Sequence, residues 1–129
     1  MIERTNAPGL STPPGYSHVV TASGSRLVTT AGAVPVDAEG NLVGPGDHLA
    51  QARQTLENLS LALEAAGATA RDVVKITVYV VAEDRAALAT VWRAVQETEL
   101  VDAASTLLGV SLLGYEGQLV EIEAIAVLD

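Results

Sequence analysis

Two runs of strand-forming residues constrain this chain most: "DVVKITVYVV" at 72–81 and "LVEIEAIAVL" at 119–128. Side chains along a strand alternate between faces. On the second run Val120, Ile122, Ala124, Ala126 and Leu128 form one wholly apolar face, while Leu119, Glu121, Glu123, Ile125 and Val127 form the other. On the first run the set matching that second face is Val73, Lys75, Thr77, Tyr79 and Val81. One face is core. The other mixes charge with large aliphatic groups and is too apolar to stand in water alone, so it predicts a partner interface, most simply with a second copy of the chain.

The remaining segments supply what covers the core face. Asp47 suits the N-cap of a helix from 48 to about 66, on which Leu49, Ala52, Leu56, Leu59, Leu63 and Ala66 recur at spacings of three and four before Gly67. Asp84 suits the start of a second helix, with Leu88, Val91, Trp92 and Val95 on one side and Trp92 assigned to the core. "HVVTAS" and "RLVTTAGAVPV" read as a hairpin across Gly24 and Ser25. "ASTLLGV" reads as a further strand, and "NAPGLSTPPGYS" as an extended arm broken by proline and glycine. The order β, β, α, β, α, β, β predicts one α+β domain over 1–129, a mixed sheet with two helices on one face.

Charge and composition exclude several functions. Seven Lys and Arg against 16 Asp and Glu give a net charge of −9, which repels nucleic-acid backbones and anionic membranes. The absence of cysteine removes thiolate nucleophiles and cysteine metal sites, and His18 and His48 have no metal-ligand spacing, so no metal is expected. The opening residues lack the apolar core of a leader and no segment is long enough to span a bilayer, so the expected location is the cytoplasm.

In order and spacing, "GYSHVV", "TTAGAVPVDAEGNLVG", "AQARQTLENLSLALEAAGATARDVVKITVYV" and "LVEIEAIAV" resemble the RidA/YjgF family of reactive intermediate deaminases, over essentially the whole chain. The resemblance implies a chorismate-mutase-like fold, a barrel-like homotrimer and small-molecule sites in clefts between subunits. It also implies cofactor-free hydrolysis of enamines and imines such as 2-aminoacrylate to a keto acid and ammonia. Position by position it implies Glu121 as the site glutamate, Tyr16 as the site tyrosine, and Gly32 as the glycine of a segment that usually reads Ser-Gly-Gln but here is Ala31, Gly32 and Ala33. "DAAST", 102–106, corresponds to Pro-Ala-Arg-Ser-Thr, so Ala104 stands where the substrate-carboxylate arginine would be, beside Ser105 and Thr106.

Each candidate has a plainer reading too. Glu121 can act as general acid and base on water or an imine nitrogen, or can pair with Lys75 or an arginine across the sheet. Glu123 is assigned a structural role. Tyr16 can offer ring and hydroxyl to a ligand or anchor the arm, and Tyr79 can wall a cleft or simply pack. His18 can face the cleft, His48 falls in an exposed first helical turn, and Ser105 and Thr106 suit binding better than attack, since no triad surrounds them. Two functions follow: a hydrolase, deaminase or tautomerase acting on an imine, enamine or activated carbonyl compound, or a non-catalytic metabolite-sensing trimer. Because no Lys or Arg follows Ala104, the expected ligand is neutral, cationic or bulky rather than 2-aminoacrylate.

Overall fold

Asp47 and Asp84 start the helices by the same device. Each carboxylate accepts the backbone N–H three residues on, from Ala50 at 3.0 Å and Ala87 at 3.2 Å, satisfying a donor that a helix N-terminus leaves free. In the computed structural model, which describes residues 1–129, α1 spans His48–Ala65 and α2 spans Arg85–Gln96. Gly67, at φ +76°, turns the chain out of α1 in a conformation that costs other residues a clash.

Six strands complete the chain: β1 (Ile2–Thr5), β2 (Val19–Ala22), β3 (Arg26–Thr29), β4 (Val73–Val81), β5 (Ala104–Val110) and β6 (Val120–Leu128). The main sheet runs β3-β6-β4-β5. β4 and β5 are parallel, with α2 between them in sequence, and the β3–β6 and β6–β4 pairs are antiparallel. Leu59 and Leu63 of α1 and Val91 and Val95 of α2 share one buried cluster with Ile76, Val78, Val80, Val120 and Ile122 of the sheet. Thus the architecture is α+β with both helices on one face, and β6 turns its predicted apolar side inward.

Four details differ from the sequence reading, the first being that Ile2–Thr5 forms a strand, β1, which the predicted order lacks. β2 and β3 do not form a hairpin: β2 pairs with β1 in a separate two-stranded sheet, and β3 pairs with β6. At the Ser-Gly-Ser segment, Gly24 is pressed against the end of β6, where a β-carbon would stand 2.8 Å from Val127 Cγ1. Val73 belongs to the core face, not the open one. The β4–β6 register shifts between Val73 and Lys75, which reverses the alternation there and leaves Val73 fully buried. The run 26–36 is strand only to Thr29; beyond it a single bridge, Ala33 to Ile122, continues the pairing with β6.

Candidate functional site

The open sheet face carries most of the candidates in register. Tyr79 pairs across to Glu121 on β6 and to Leu108 on β5. One row along, Thr77 lies between Glu123 and Thr106, and the next row holds Ala104, Lys75 and Ile125. Glu121 is half-buried, and its Oε1 accepts from the Nε2 amide of buried Gln118 at 3.0 Å. Gly32 is packed on the same carboxylate: a β-carbon there would stand 2.6 Å from Glu121 Cδ and 2.7 Å from Cγ. It arrives there because Ala33 exchanges backbone hydrogen bonds with Ile122, at 2.8 and 3.1 Å. Only a residue without a side chain lets Glu121 keep this posture.

Glu123 is occupied otherwise. The Tyr79 hydroxyl donates to Glu123 Oε1, and this bond, then burial, then the charges of Glu123 and Glu121 hold the phenol above its ordinary 10.0. Tyr79 is therefore a fixed, protonated wall of the face beside Glu121. Lys75 extends to Thr106, whose hydroxyl oxygen accepts from Nζ at 2.7 Å. Ala104 lies directly across from Lys75 in the β4–β5 register. The register thus sets a lysine across the sheet from Ala104, although no Lys or Arg follows Ala104 in the sequence.

Tyr16 and Ser105 lie on the other side of the sheet. Ser105 is paired with core-facing Ile76 and its hydroxyl donates to Ala103 O at 3.1 Å. With Pro14, Tyr16, Trp92 and Leu107 it lines a cavity of about 280 Å³ under the arm. Tyr16 meets Trp92 and His18 edge-on, with ring centroids 6.4 and 6.0 Å apart. Trp92 packs half-buried against the core and also clasps the arm: its indole N–H donates to Pro14 O at 3.1 Å, where Gln96 also donates at 3.2 Å. His18 Nδ1 accepts from Ala7 N at 3.0 Å and so ties the arm to itself. His48 is not a free surface group, since its Nε2 lies 2.7 Å from Val81 O. Within one chain, Glu121, Tyr79, Gly32, Ala104 and Thr106 share a face that Tyr16 and Ser105 do not reach.

Two buried amides supporting the face escaped the sequence reading. Gln118 donates to Val120 O and Glu121 and accepts from Tyr115 N. Gln51, fully buried on α1, donates to Gly44 O and Gly117 O and accepts from Leu119 N at 2.7 Å. The signal that was available is the spacing of Gln51, four residues before Thr55 and eight before Leu59, which puts it beside the apolar α1 stripe. No cluster of three or more His, Cys, Asp or Glu is placed to hold a metal, and no helix is long and apolar enough to cross a membrane.

Residues 6–128 match the family model described as Endoribonuclease L-PSP. Among solved structures, the chain is similar to the Rid-family protein YyfB of Yersinia pestis, with a TM-score of 0.91 and 37% identity over 98% of each chain. It is also similar to Escherichia coli TdcF, solved with bound serine, with a TM-score of 0.69 and 30% identity over 100% of this chain and 98% of that one. A 54-residue segment is 48% identical to the 2-iminobutanoate/2-iminopropanoate deaminase of Salmonella typhimurium, spanning 42% of this chain and 41% of that enzyme. With its mixed sheet, two helices and a family match over nearly its whole length, the chain belongs to the Endoribonuclease L-PSP family, the RidA/YjgF proteins.

Proposed function

We propose that the protein is a small-molecule enzyme, a cofactor-independent hydrolase of imines and enamines, with Glu121 as its general acid and base. The observation that carries this reading is the posture of Glu121: one carboxylate oxygen is held by Gln118, the side chain is seated against Gly32, and Oε2 has no protein donor. Such a carboxylate can take a proton from water as it adds to the C=N carbon, pass it to the nitrogen, and then carry the proton of the new hydroxyl to that nitrogen as the C–N bond breaks, giving a carbonyl compound and ammonia. The deaminase of Salmonella typhimurium supports this choice of chemistry.

Tyr16 and Ser105 complete the site only if a second copy brings its arm side against this face. The proposed assembly is therefore a homotrimer with clefts between subunits. Ala104 lacks the forked, two-point contact that an arginine gives a carboxylate. The second bond of that fork, a charge-assisted hydrogen bond, contributes about 1.5–3 kcal/mol, so without it 2-aminoacrylate should be turned over at least ~10-fold less efficiently than by an arginine-bearing member, and Ala104→Arg should raise the rate.

The test is imine hydrolysis, measured as ammonia release, by wild type, Glu121→Gln and Glu123→Gln. Wild type and Glu123→Gln should turn over while Glu121→Gln loses at least ~100-fold. Equal loss in both variants would remove the distinct role of Glu121. Ligand binding with no turnover in wild type would leave the face as a metabolite sensor.

A further inference from the structure

We infer that Lys75 is the anion-binding residue of the open face, its ammonium taking the carboxylate of a small-molecule acid beside Ala104. The inference rests on the Glu121 face being a ligand site. Lys75 is the only lysine in the chain, and the β4–β5 register sets it directly across from Ala104, at the ~4.8 Å spacing of neighbouring strands. Its Nζ is fixed by Thr106 Oγ1 at 2.7 Å, which uses one of three ammonium donors and leaves two for a ligand. No carboxylate of the chain neutralises it: the ion pairs are Met1 with Asp129 and Arg71 with Glu99. On the same face, Glu123 is engaged by Tyr79 and Glu121 by Gln118.

No arginine competes for this role. Arg4 donates to Asp102, Arg71 and Val73 carbonyls, and Arg26 to Ala66 O at the end of α1. Arg53, Arg85 and Arg93 are on the helices, and the open face carries no other positive charge. Ala104 contributes only a methyl group across from the lysine. The ligand is thus still an acid, held by a point charge and the Thr106 hydroxyl rather than by a planar fork.

The experiment measures binding of 2-oxobutanoate, with its uncharged amide as control, to wild type, Lys75→Met and Lys75→Arg. The acid should bind wild type and Lys75→Arg, should bind Lys75→Met at least ~10-fold more weakly, and should outbind the amide only where the cation is present. Turnover is not read, so a catalytically silent protein that still binds through Lys75 fails the enzyme reading and keeps this one. In unaltered protein, 2-oxobutanoate should slow acetylation of Lys75, followed by peptide mass spectrometry, and the amide should not. Equal binding to wild type and Lys75→Met, or Lys75 acetylation indifferent to the acid, would overturn the inference. The acetylation result stands even if Lys75→Met does not fold.

Discussion

Gly32 fixes where Glu121 can be. Its φ lies outside the left-handed region, so alanine fits the backbone there, but the added methyl would occupy the space of the Glu121 carboxylate. Glu121 then has to swing toward the open face. Gly32→Ala should leave the melting temperature near that of wild type while lowering imine hydrolysis by ~10- to ~100-fold, the usual scale for a misplaced catalytic group. An unchanged rate would separate Gly32 from the site. The neighbouring Glu123 is tested through Tyr79. A phenol whose folded-state pKa is above its unfolded 10.0 contributes stability fully below pH 10, and that contribution is lost as pH rises through the folded value. Glu123→Gln weakens the hydrogen bond that is the largest cause of the raised Tyr79 value and removes one of the charges that add to it. Ultraviolet titration, with Tyr79→Phe identifying the transition among the three tyrosines, should show it moving back toward 10.0, and the alkaline loss of stability should flatten. Local chemistry of this kind was only partly legible. The Glu121–Glu123 pair stands out in the sequence, whereas Lys75 meets Thr106 across 31 positions, a contact that only a register reveals.

Among the elements, the helices and the strands β4, β5 and β6 were read correctly, whereas the partners of β2 and β3 were not. Both helices were legible because an aspartate cap and a three-four apolar spacing act within a few residues. β3 was misassigned because its partner lies near the other end of the chain, and Val73 because a register shift has no residue signature. Gln51 shows how α1 also holds the loops. Its amide binds Gly44 O, Gly117 O and Leu119 N, one residue before β6. Leucine there would strand three backbone groups, each costing about 1–3 kcal/mol if left buried and unpaired. Gln51→Leu should therefore lose about 2–5 kcal/mol in urea unfolding. It should also loosen 115–119, read as faster amide exchange at Leu119.

At the level of the molecule, the open face still carries apolar surface. Leu27 is 70% and Ile125 38% exposed, and they stand on neighbouring strands next to Val127. Covered by other copies, that surface should give a light-scattering mass about three times the 13.3 kDa of one chain. Ile125→Glu should shift the mass toward one chain by placing a charge in the contact; a wild-type mass near 13.3 kDa would sink the trimer. The strand order has a consequence for synthesis as well. β6 comes last in the chain but lies inside the sheet, between β3 and β4. Until its residues leave the ribosome, β3 has no neighbour in the main sheet and β4 lacks one. At ~5–20 residues per second, the interval from the end of β4 to the end of β6 is roughly 2–9 s. The nascent chain must keep a half-built, sticky sheet from pairing elsewhere during that time, and the main sheet closes only once translation has passed its final strand.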